Sequence, residues 1–299
     1  MNVDINLLEK FEQNLDPQNI EASDVKVNLI GFGEISSIIE IEAIPGIVFK
    51  RMPLFKDEEE ALEYKVKHEK YCSLLEEIGI ALPENDAFIV KRDSKITSLY
   101  IAQTKLESNS LGNKYILNHP EKDSLELFRE VVRSIEKVWN FNKANKGKIE
   151  MAIDSQISNW AKNGGLYYID TSTPLFKLNG VEQLNPELIL ASAPSFGRAI
   201  IRKFFLDDVM SRYYDPKSVY IDLIANLYKE KKSELIPQLI DLINKETDVS
   251  VTEKEVLDYY KEDKFIWSLF LKLRKIDKWL FKYLYRKQYQ YILPDKIER

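Results

Sequence analysis

Cysteine and histidine are scarce in this 299-residue chain, which has one cysteine and two histidines. A single cysteine, Cys72, excludes an internal disulfide and a cysteine-based zinc site, so we expect a reducing compartment, the cytoplasm. Cys72 lies on a predicted helix, where a buried small hydrophobic residue is expected rather than a nucleophile. His68 and His119 show no ligand spacing, and we expect both side chains to be solvated.

Long apolar runs and a basic excess are also missing. The sequence therefore predicts no membrane span, and its N-terminus lacks the basic and apolar regions of a signal peptide. The formal net charge of −5 argues against a general nucleic-acid-binding protein. With 44% hydrophobic and 30% charged residues, the composition is that of a globular chain that can bury a core. Nothing in the sequence indicates an oligomeric state.

Residues 149–174 are the most informative part of the chain. An apolar run ends at Asp154, Asn159 follows, and a second apolar run ends at Asp170. The Asn-Gly-Gly triplet at residues 163–165 predicts a tight hairpin, because such turns need residues that tolerate positive φ. The hairpin would bring the two acids and the amide together, a set that suits a hard cation plus one carboxylate for acid–base chemistry. Taken singly, they would be ordinary turn or capping residues.

Upstream of this segment, the sequence predicts an antiparallel meander. Strand-like runs at residues 25–30, 38–44 and 47–50 are separated by a Gly-Phe-Gly loop and a Pro-Gly turn. Because a strand and not a helix follows the glycines, the arrangement differs from dinucleotide-binding and P-loop units. Lys50 lies late in the third strand; alone, it would be interpreted as a surface lysine.

The remaining pattern predicts a mostly helical second half. A helix over residues 57–78 ends at Gly79, and further strands follow before periodicity is lost at residues 105–113. Further helices are predicted at residues 123–145, 194–213, 219–231, 235–245 and 252–289. We expect an α+β protein with a small antiparallel β N-lobe, residues 1–104, and a larger, mainly α-helical C-lobe, residues 105–299.

The order of these parts resembles the protein-kinase-like superfamily, in the branch of small-molecule kinases typified by aminoglycoside phosphotransferases and choline kinases. The resemblance covers roughly residues 25–228 and implies a two-lobed fold that binds ATP and Mg²⁺ between the lobes. The ATP-binding positions that it implies are Gly31, Gly33, Ser36, Ile38, Val48, Lys50, Glu69 and Gln103. It implies that Glu69 pairs with Lys50, although Glu63 on the same helix is a competitor. It further implies Asp154 as the catalytic base and Asn159 and Asp170 as the Mg²⁺ ligands.

The resemblance implies an ATP–Mg²⁺-dependent phosphotransferase acting on a hydroxyl of a small-molecule acceptor. The chain departs from the family at Ala152 and Gln156, where histidine and a basic residue are usual, and at Thr171-Ser172, where Phe-Gly is usual. No Ala-Pro-Glu triplet follows Asp170, which favours a small-molecule kinase over a conventional protein kinase. The alternatives are a pseudokinase that senses a nucleotide or acts as a scaffold, an atypical protein kinase and a nucleotidyltransferase.

Basic and aromatic residues alternate over residues 265–291, which include the second half of the last predicted helix and the two residues after it. Such interleaving can indicate a nucleic-acid or anionic membrane surface. Helical spacing of the apolar residues favours packing with a basic outer face instead. The apolar positions are Ile266, Leu269, Phe270, Leu273, Ile276, Leu280 and Leu284. The basic positions are Lys272, Arg274, Lys275, Lys278, Lys282, Arg286 and Lys287.

Overall fold

A computed structural model describes residues 1–32, 36–52, 55–92, 97–185, 198, 207–284, 286 and 292. Within these residues the protein is α+β, with a small antiparallel sheet in the N-terminal region and a mostly helical C-terminal part, which confirms the predicted class. In these ranges, none of the helices combines the length and the apolar character needed to cross a membrane.

The N-terminal region is built on one five-stranded sheet. Its elements are α1 (Ile5–Asn14), β1 (Val27–Phe32), β2 (Ser37–Ile41), β3 (Ile47–Arg51), α2 (Glu58–Glu77), β4 (Asn85–Lys91) and β5 (Thr97–Thr104). The strands are antiparallel in the order β1-β2-β3-β5-β4, which confirms the predicted meander. Asp57 caps α2 by accepting a hydrogen bond from Glu60 N at 2.9 Å, and Gly79, at φ +77°, follows its end as predicted.

The two faces of this sheet have different neighbours. Strand residues alternate between the faces. Phe49 and Tyr100 face outward and pack with Leu8 and Phe11 of α1 in a buried apolar cluster. Lys50 lies on the inner face, between its cross-strand partners Ile38 and Ile101. The inner face therefore carries a charged side chain among apolar neighbours.

The C-terminal part contains short strands followed by helices. Its elements are α3 (Gly112–Asn118), α4 (Glu121–Ala144), β6 (Ile149–Met151), β7 (Trp160–Lys162), β8 (Leu166–Tyr168), β9 (Phe176–Leu178), β10 (Val181–Glu182), α5 (Asp207–Arg212), α6 (Pro216–Lys229), α7 (Ile236–Glu246) and α8 (Glu253–Tyr283). The predicted hairpin is confirmed: β7 pairs with β8, Asn163 N donates to Gly165 O at 2.9 Å, and Gly164 has φ +69°. Most of the helix predicted over residues 194–213 falls outside the described residues.

One continuous apolar core connects the two parts. It includes Leu75 of α2 and Ile101 of β5 together with Val131 of α4 and Ile224 of α6. The core crosses residue 105, where we expect the boundary between the lobes, so the division into residues 1–104 and 105–299 stays a prediction.

The last helix departs from the packing predicted for it. In the described part of the chain, Ile276 and Leu284 are exposed, and Trp279 is 58% exposed. Arg274, predicted on the basic outer face, is buried and lies 4.4 Å from the centre of the Phe270 ring. The apolar spacing located the helix, but it did not determine which face is covered.

Candidate functional site

Lys50 crosses from the sheet to the C-terminal part. Its side chain is only 8% exposed, so the interpretation as a surface lysine is wrong. The ammonium Nζ donates to the carbonyl oxygen of Ile169 at 2.8 Å and to Asp170 Oδ1 at 3.0 Å. The strand that ends the hairpin is thereby joined to the inner face of the sheet.

Asp170 is held as a carboxylate by two donors. Burial raises the pKa of this group, but the nearby Lys50 ammonium and the hydrogen bond from Ser172 Oγ, at 2.7 Å, outweigh that effect and lower the pKa below its ordinary value. The side chain remains 26% exposed. Asp170 is therefore ionised at neutral pH and accessible to a further partner.

The predicted pair of Lys50 with Glu69 is wrong in this structure. Glu69 is 53% exposed, and its nearest cation is Lys65, 3.7 Å away on the same helix. The competitor Glu63 is also exposed and pairs with Lys67 at 2.6 Å. The physical reason is the rotation of α2, because the helix turns the preceding residue, His68, toward the site and leaves both glutamates on the solvent side.

The buried face of α2 contacts the residues on both sides of the site. Tyr64 Oη donates to the carbonyl oxygen of Ser172, and Tyr71 Oη donates to that of Ala152 at 2.8 Å. His68 Nε2 lies 3.2 Å from Thr171 Oγ1. The i, i+4, i+7 spacing of these three ring side chains is the sequence signal that indicates this buried face.

His68 is buried, so its predicted solvation is wrong. Burial, and secondarily the Lys50 ammonium, lowers the pKa of His68 to about 4. The ring is therefore neutral at neutral pH. Cys72, one helical turn later, is buried as predicted, and burial raises the pKa of its thiol to about 12, which makes it a poor nucleophile.

The Asp154–Asn159 loop is adjacent to Asp170. Gln156 N donates to Asp154 Oδ1 at 3.1 Å, and Asn159 Nδ2 donates to the carbonyl oxygen of Asp154 at 3.4 Å. Ile169 N donates to the carbonyl oxygen of Asn159 at 2.9 Å, which ties the loop to the strand end that carries Asp170. The hairpin thus brings Asp154, Asn159 and Asp170 to neighbouring positions, as expected from the sequence.

Of the predicted ATP-binding positions, Ile38, Val48, Lys50 and Gln103 share the inner face of the sheet. Val48 is the cross-strand partner of Gln103, and Ile38 is that of Lys50. Gln103 is buried, and its Nε2 donates to the carbonyl oxygen of Ile169 at 3.3 Å, so two inner-face side chains meet this carbonyl. Ser36 is buried and Gly31 half-buried at the start of the face, whereas Gly33 lies outside the described residues.

A divalent cation could be held by the Asp170 carboxylate and the Asn159 amide oxygen. The hydrogen bond of Asn159 occupies its amide nitrogen, so its oxygen is the atom suited to a cation. Across the described ranges, no group of three or more His, Cys, Asp or Glu side chains is placed to hold a metal. Mg²⁺ is commonly bound by one or two protein oxygens plus substrate phosphates and water, and this donor set fits that mode.

A family model, described as a family of unknown function (DUF6206), matches residues 38–278. The chain belongs to this family. The DUF6206 match begins on β2 and contains Lys50, the Asp154–Asn159 loop, Asp170 and helices α2 and α6. No curated protein matches the chain.

Proposed function

We propose that this DUF6206 chain has a protein-kinase-like fold and transfers a phosphoryl group from ATP–Mg²⁺ to a hydroxyl of a small molecule. The observation that carries the proposal is the ion pair of Lys50 and Asp170, which lie 120 positions apart in the sequence, beside the Asp154–Asn159 loop. A lysine on the third strand, a helix after it and a metal-binding aspartate meeting that lysine are the parts that ATP-dependent phosphoryl transfer uses.

In this proposal the chain mainly positions groups and balances charge. The Lys50 ammonium would bind the phosphates of ATP, and Asn159 and Asp170 would hold the cation through their side-chain oxygens. Bound Mg²⁺ neutralises charge on the phosphates. Asp154 accepts the proton of the acceptor hydroxyl. The hydroxyl oxygen then bonds to the γ-phosphorus, and the bond between this phosphorus and the oxygen that leaves with ADP breaks. Transfer to a small molecule requires no extended surface for a protein.

A pseudokinase is the second candidate, and one observation favours it. Lys50 and Gln103 both donate to the carbonyl oxygen of Ile169, which closes the inner face onto the strand end. A nucleotide that displaced these two hydrogen bonds would open the inner face. Such a change could report nucleotide binding without any transfer of a phosphoryl group. An atypical protein kinase and a nucleotidyltransferase remain alternatives on sequence grounds alone.

We propose a cytoplasmic location and a small-molecule partner rather than nucleic acid. Support for the location comes from the single cysteine, which cannot form an internal disulfide. Support for the partner comes from the net charge of −5.

Thermal unfolding with and without ATP–Mg²⁺ tests the proposal. Ligand at about a hundred times its dissociation constant should stabilise the wild-type protein by about 2.7 kcal/mol. Asp154→Asn should retain this stabilisation, because it leaves the phosphate-binding groups unchanged, and should lower turnover by about a hundredfold or more. The control is Asp248→Asn, which changes an exposed carboxylate just after the end of α7. It should behave as wild type.

Each result has a defined consequence. An unchanged melting temperature and no calorimetric heat with saturating ATP–Mg²⁺ would show that the site does not bind the nucleotide. Wild-type turnover in Asp154→Asn would exclude the base role, whereas ATP–Mg²⁺ binding with no turnover in the wild-type protein would favour the pseudokinase.

A further inference from the structure

The outward face of α8 exposes large apolar side chains in a single row. Four residues, each between 49% and 65% exposed, form this apolar row: Phe265, Ile276, Trp279 and Tyr283. They occupy positions i, i+11, i+14 and i+18, which fall on one side of an α-helix, so the row extends over about 27 Å. Single exposed apolar residues are common, but a continuous row of them indicates a surface that binds a partner.

The covered side of α8 carries charged residues in the same stretch. Arg274 and Asp277 are buried, whereas Ile276 and Trp279 face outward. At these four positions the distribution is the reverse of that expected for a helix bordered by water, in which apolar residues face inward and charged residues outward. A partner that removed the apolar row from water would therefore stabilise the arrangement through the hydrophobic effect.

Lysines accompany the apolar row along its length. Between residues 264 and 284 every lysine is exposed, and the only acidic residue, Asp277, is buried. Lys272 lies within the row, and the other lysines follow one edge of it. This stretch therefore presents positive charge alone on its outward face, although the whole chain has a net charge of −5. The lysines are Lys264, Lys272, Lys275, Lys278 and Lys282.

An anionic lipid bilayer complements both features of this face. The boundary between headgroups and acyl chains takes up apolar side chains, and Trp and Tyr are favoured there because each combines an apolar ring with one polar group. Lysine side chains can lie along the apolar layer and keep their ammonium groups among anionic headgroups. A bilayer surface is also flat over the length of the row, so all four apolar residues can reach it together.

Two other partners complement the face less well. A second copy of the chain would place the lysines of both copies at one interface, where like charges repel. Nucleic acid would supply phosphates for the lysines and base faces for the rings, but Ile276 has no ring on which a base can stack. The net charge of −5 also opposes nucleic-acid binding.

We propose that the outward face of α8 binds the surface of an anionic lipid bilayer, with the apolar row in the interfacial layer and the lysines among the headgroups. The helix lies along the surface and does not cross the bilayer. This binding goes beyond the proposed phosphotransfer and does not rest on it, because the side-chain hydrogen bonds of Lys50 and Asp170 in the described structure involve no residue of α8.

Co-sedimentation of the full chain with lipid vesicles, in the absence of nucleotide, tests the proposal. One set of vesicles consists of phosphatidylcholine alone, and the other also contains about 30% phosphatidylserine, which supplies the negative charge. The protein should bind the anionic vesicles at least about tenfold more tightly, because each lysine near an anionic surface adds to the affinity. Raising the salt concentration from about 0.1 M to about 0.5 M should weaken this binding, since it shortens the screening length.

A triple lysine variant tests the charge of the face. It should bind anionic vesicles about a hundredfold more weakly than wild type, since each lysine near the surface contributes about fivefold. The variant combines Lys275→Gln, Lys278→Gln and Lys282→Gln. The matched control removes the same charge from exposed lysines at and just after the end of α4, and it should bind as wild type. The control combines Lys143→Gln, Lys146→Gln and Lys148→Gln.

Variants of Trp279 test the insertion of the apolar row. Trp279→Ser should weaken binding to anionic vesicles about tenfold, because it removes the largest ring from the row. The control is Leu62→Ser, which changes an exposed apolar side chain on α2 and should bind as wild type. In the wild-type protein, tryptophan emission should shift to shorter wavelength on binding. Trp279→Phe keeps an apolar ring, so it should bind within about threefold of wild type but lose the shift.

Four outcomes would overturn the proposal: no binding to anionic vesicles, equal binding to both vesicle types, equal losses in the triple variant and its control, or wild-type affinity in Trp279→Ser. A dimer that Trp279→Ser dissociates, with no vesicle binding, would assign the face to a second copy instead. Binding of a single-stranded oligonucleotide without vesicle binding would assign it to nucleic acid. All of the substituted side chains are exposed, and circular dichroism verifies that each variant is folded. Vesicle binding by a protein that does not bind ATP would reject phosphotransfer and leave this assignment intact.

Discussion

Lys50 and Arg51 are neighbours on β3, yet their side chains lie on opposite faces of the sheet and form ion pairs of different kinds. On the outer face, Arg51 makes two hydrogen bonds to Glu12, at 2.7 and 2.8 Å, and the two side chains are 4% and 0% exposed. Ser98 and Tyr100 also donate to this carboxylate. On the inner face, Asp170 accepts from Lys50 and Ser172 and is partly exposed.

The difference between the two pairs lies in how completely the carboxylate is satisfied. Four donor groups on Glu12 leave little capacity for a further ligand, so this pair is structural. Asp170 combines a fixed cation with an accessible carboxylate, which is the arrangement expected where a ligand or metal exchanges with the partner. Adjacent charged residues on one strand can therefore have unrelated roles, because alternation places them in different surroundings.

Breaking the outer pair should give the largest effect on stability. Glu12→Gln removes the carboxylate charge that accepts two hydrogen bonds from the buried Arg51 guanidinium, so we expect a loss of about 3–5 kcal/mol in unfolding free energy. ATP–Mg²⁺ affinity should not change below the melting temperature. Chemical denaturation measures the first quantity and calorimetry the second.

The matched control is Glu9→Gln on the same helix, half-exposed, which should change stability by about 0.5 kcal/mol or less. Equal effects of the two variants would contradict the structural role of the buried pair. Reduced ATP affinity in Glu12→Gln would show that the two faces are coupled.

The second prediction is that the free energy of unfolding falls on acidification at a higher pH than that at which the carboxylates of the two ion pairs are protonated. The pKa of His68 is about 4 in the folded protein, whereas an unperturbed histidine has a pKa near 6.5. The unfolded chain therefore binds a proton between these values that the folded chain does not, and stability falls as pH decreases from about 6.5 to 4, by about 3 kcal/mol in total. Thermal or chemical unfolding measured against pH checks this.

His68→Gln removes the titrating group and should flatten the dependence over this window. The pKa values of Glu12 and Asp170 are lowered, so their stabilising contributions persist above the ordinary carboxyl pKa and are lost only as pH falls below it. An unchanged slope in His68→Gln would mean that another group is responsible.

The third prediction concerns ligand affinity rather than stability. Lys50→Met removes the ammonium from the inner face and should weaken ATP–Mg²⁺ binding by about ten- to a hundredfold, equivalent to the loss of about 1.5–3 kcal/mol from a charge-assisted hydrogen bond. It should destabilise the fold less than Glu12→Gln, because Asp170 is partly exposed and keeps Ser172. Calorimetry with ATP–Mg²⁺ measures the affinity.

Lys56→Met, at an exposed lysine, is the control for the third prediction and should bind ATP–Mg²⁺ as wild type. Wild-type affinity in Lys50→Met would contradict the proposed role of the inner pair and would leave it as a structural contact.

The sequence predicted those features that depend on local order along the chain. The meander, the start and end of α2 and the hairpin at Asn163–Gly165 follow from periodicity, a capping aspartate and glycines that take positive φ. The same hairpin was sufficient to place Asp154 near Asp170. Each of these signals lies within a short stretch of the chain, so a single sequence is sufficient to recognise it.

Features set by long-range packing were not predicted. Glu12 occupies an ordinary position on an amphipathic helix, and its partner lies 39 positions away. The rotation of α2 depends on what its buried face contacts, so finding that neither Glu69 nor Glu63 faces Lys50 required the surroundings of that helix. The exposure of Ile276 on α8 was not predicted for the same reason. Periodicity identifies an apolar face of a helix, but not which other element packs against it.

The smallest effect is expected where charges belong to neither ion pair. Lys272, Lys275 and Lys282 are exposed on α8, and replacing all three by glutamate would reverse any field that attracts an anionic acceptor. Exposed charges are screened over about 10 Å at 0.1 M salt, so we expect their field to contribute little to encounter with an acceptor. We therefore expect wild-type phosphotransfer rates at low salt and a stability change within about 1 kcal/mol. Initial rates measured at low and high salt check this, with Lys272→Gln as the single neutral control. A marked loss of rate at low salt that disappears at high salt would instead assign electrostatic steering of the acceptor to this helix.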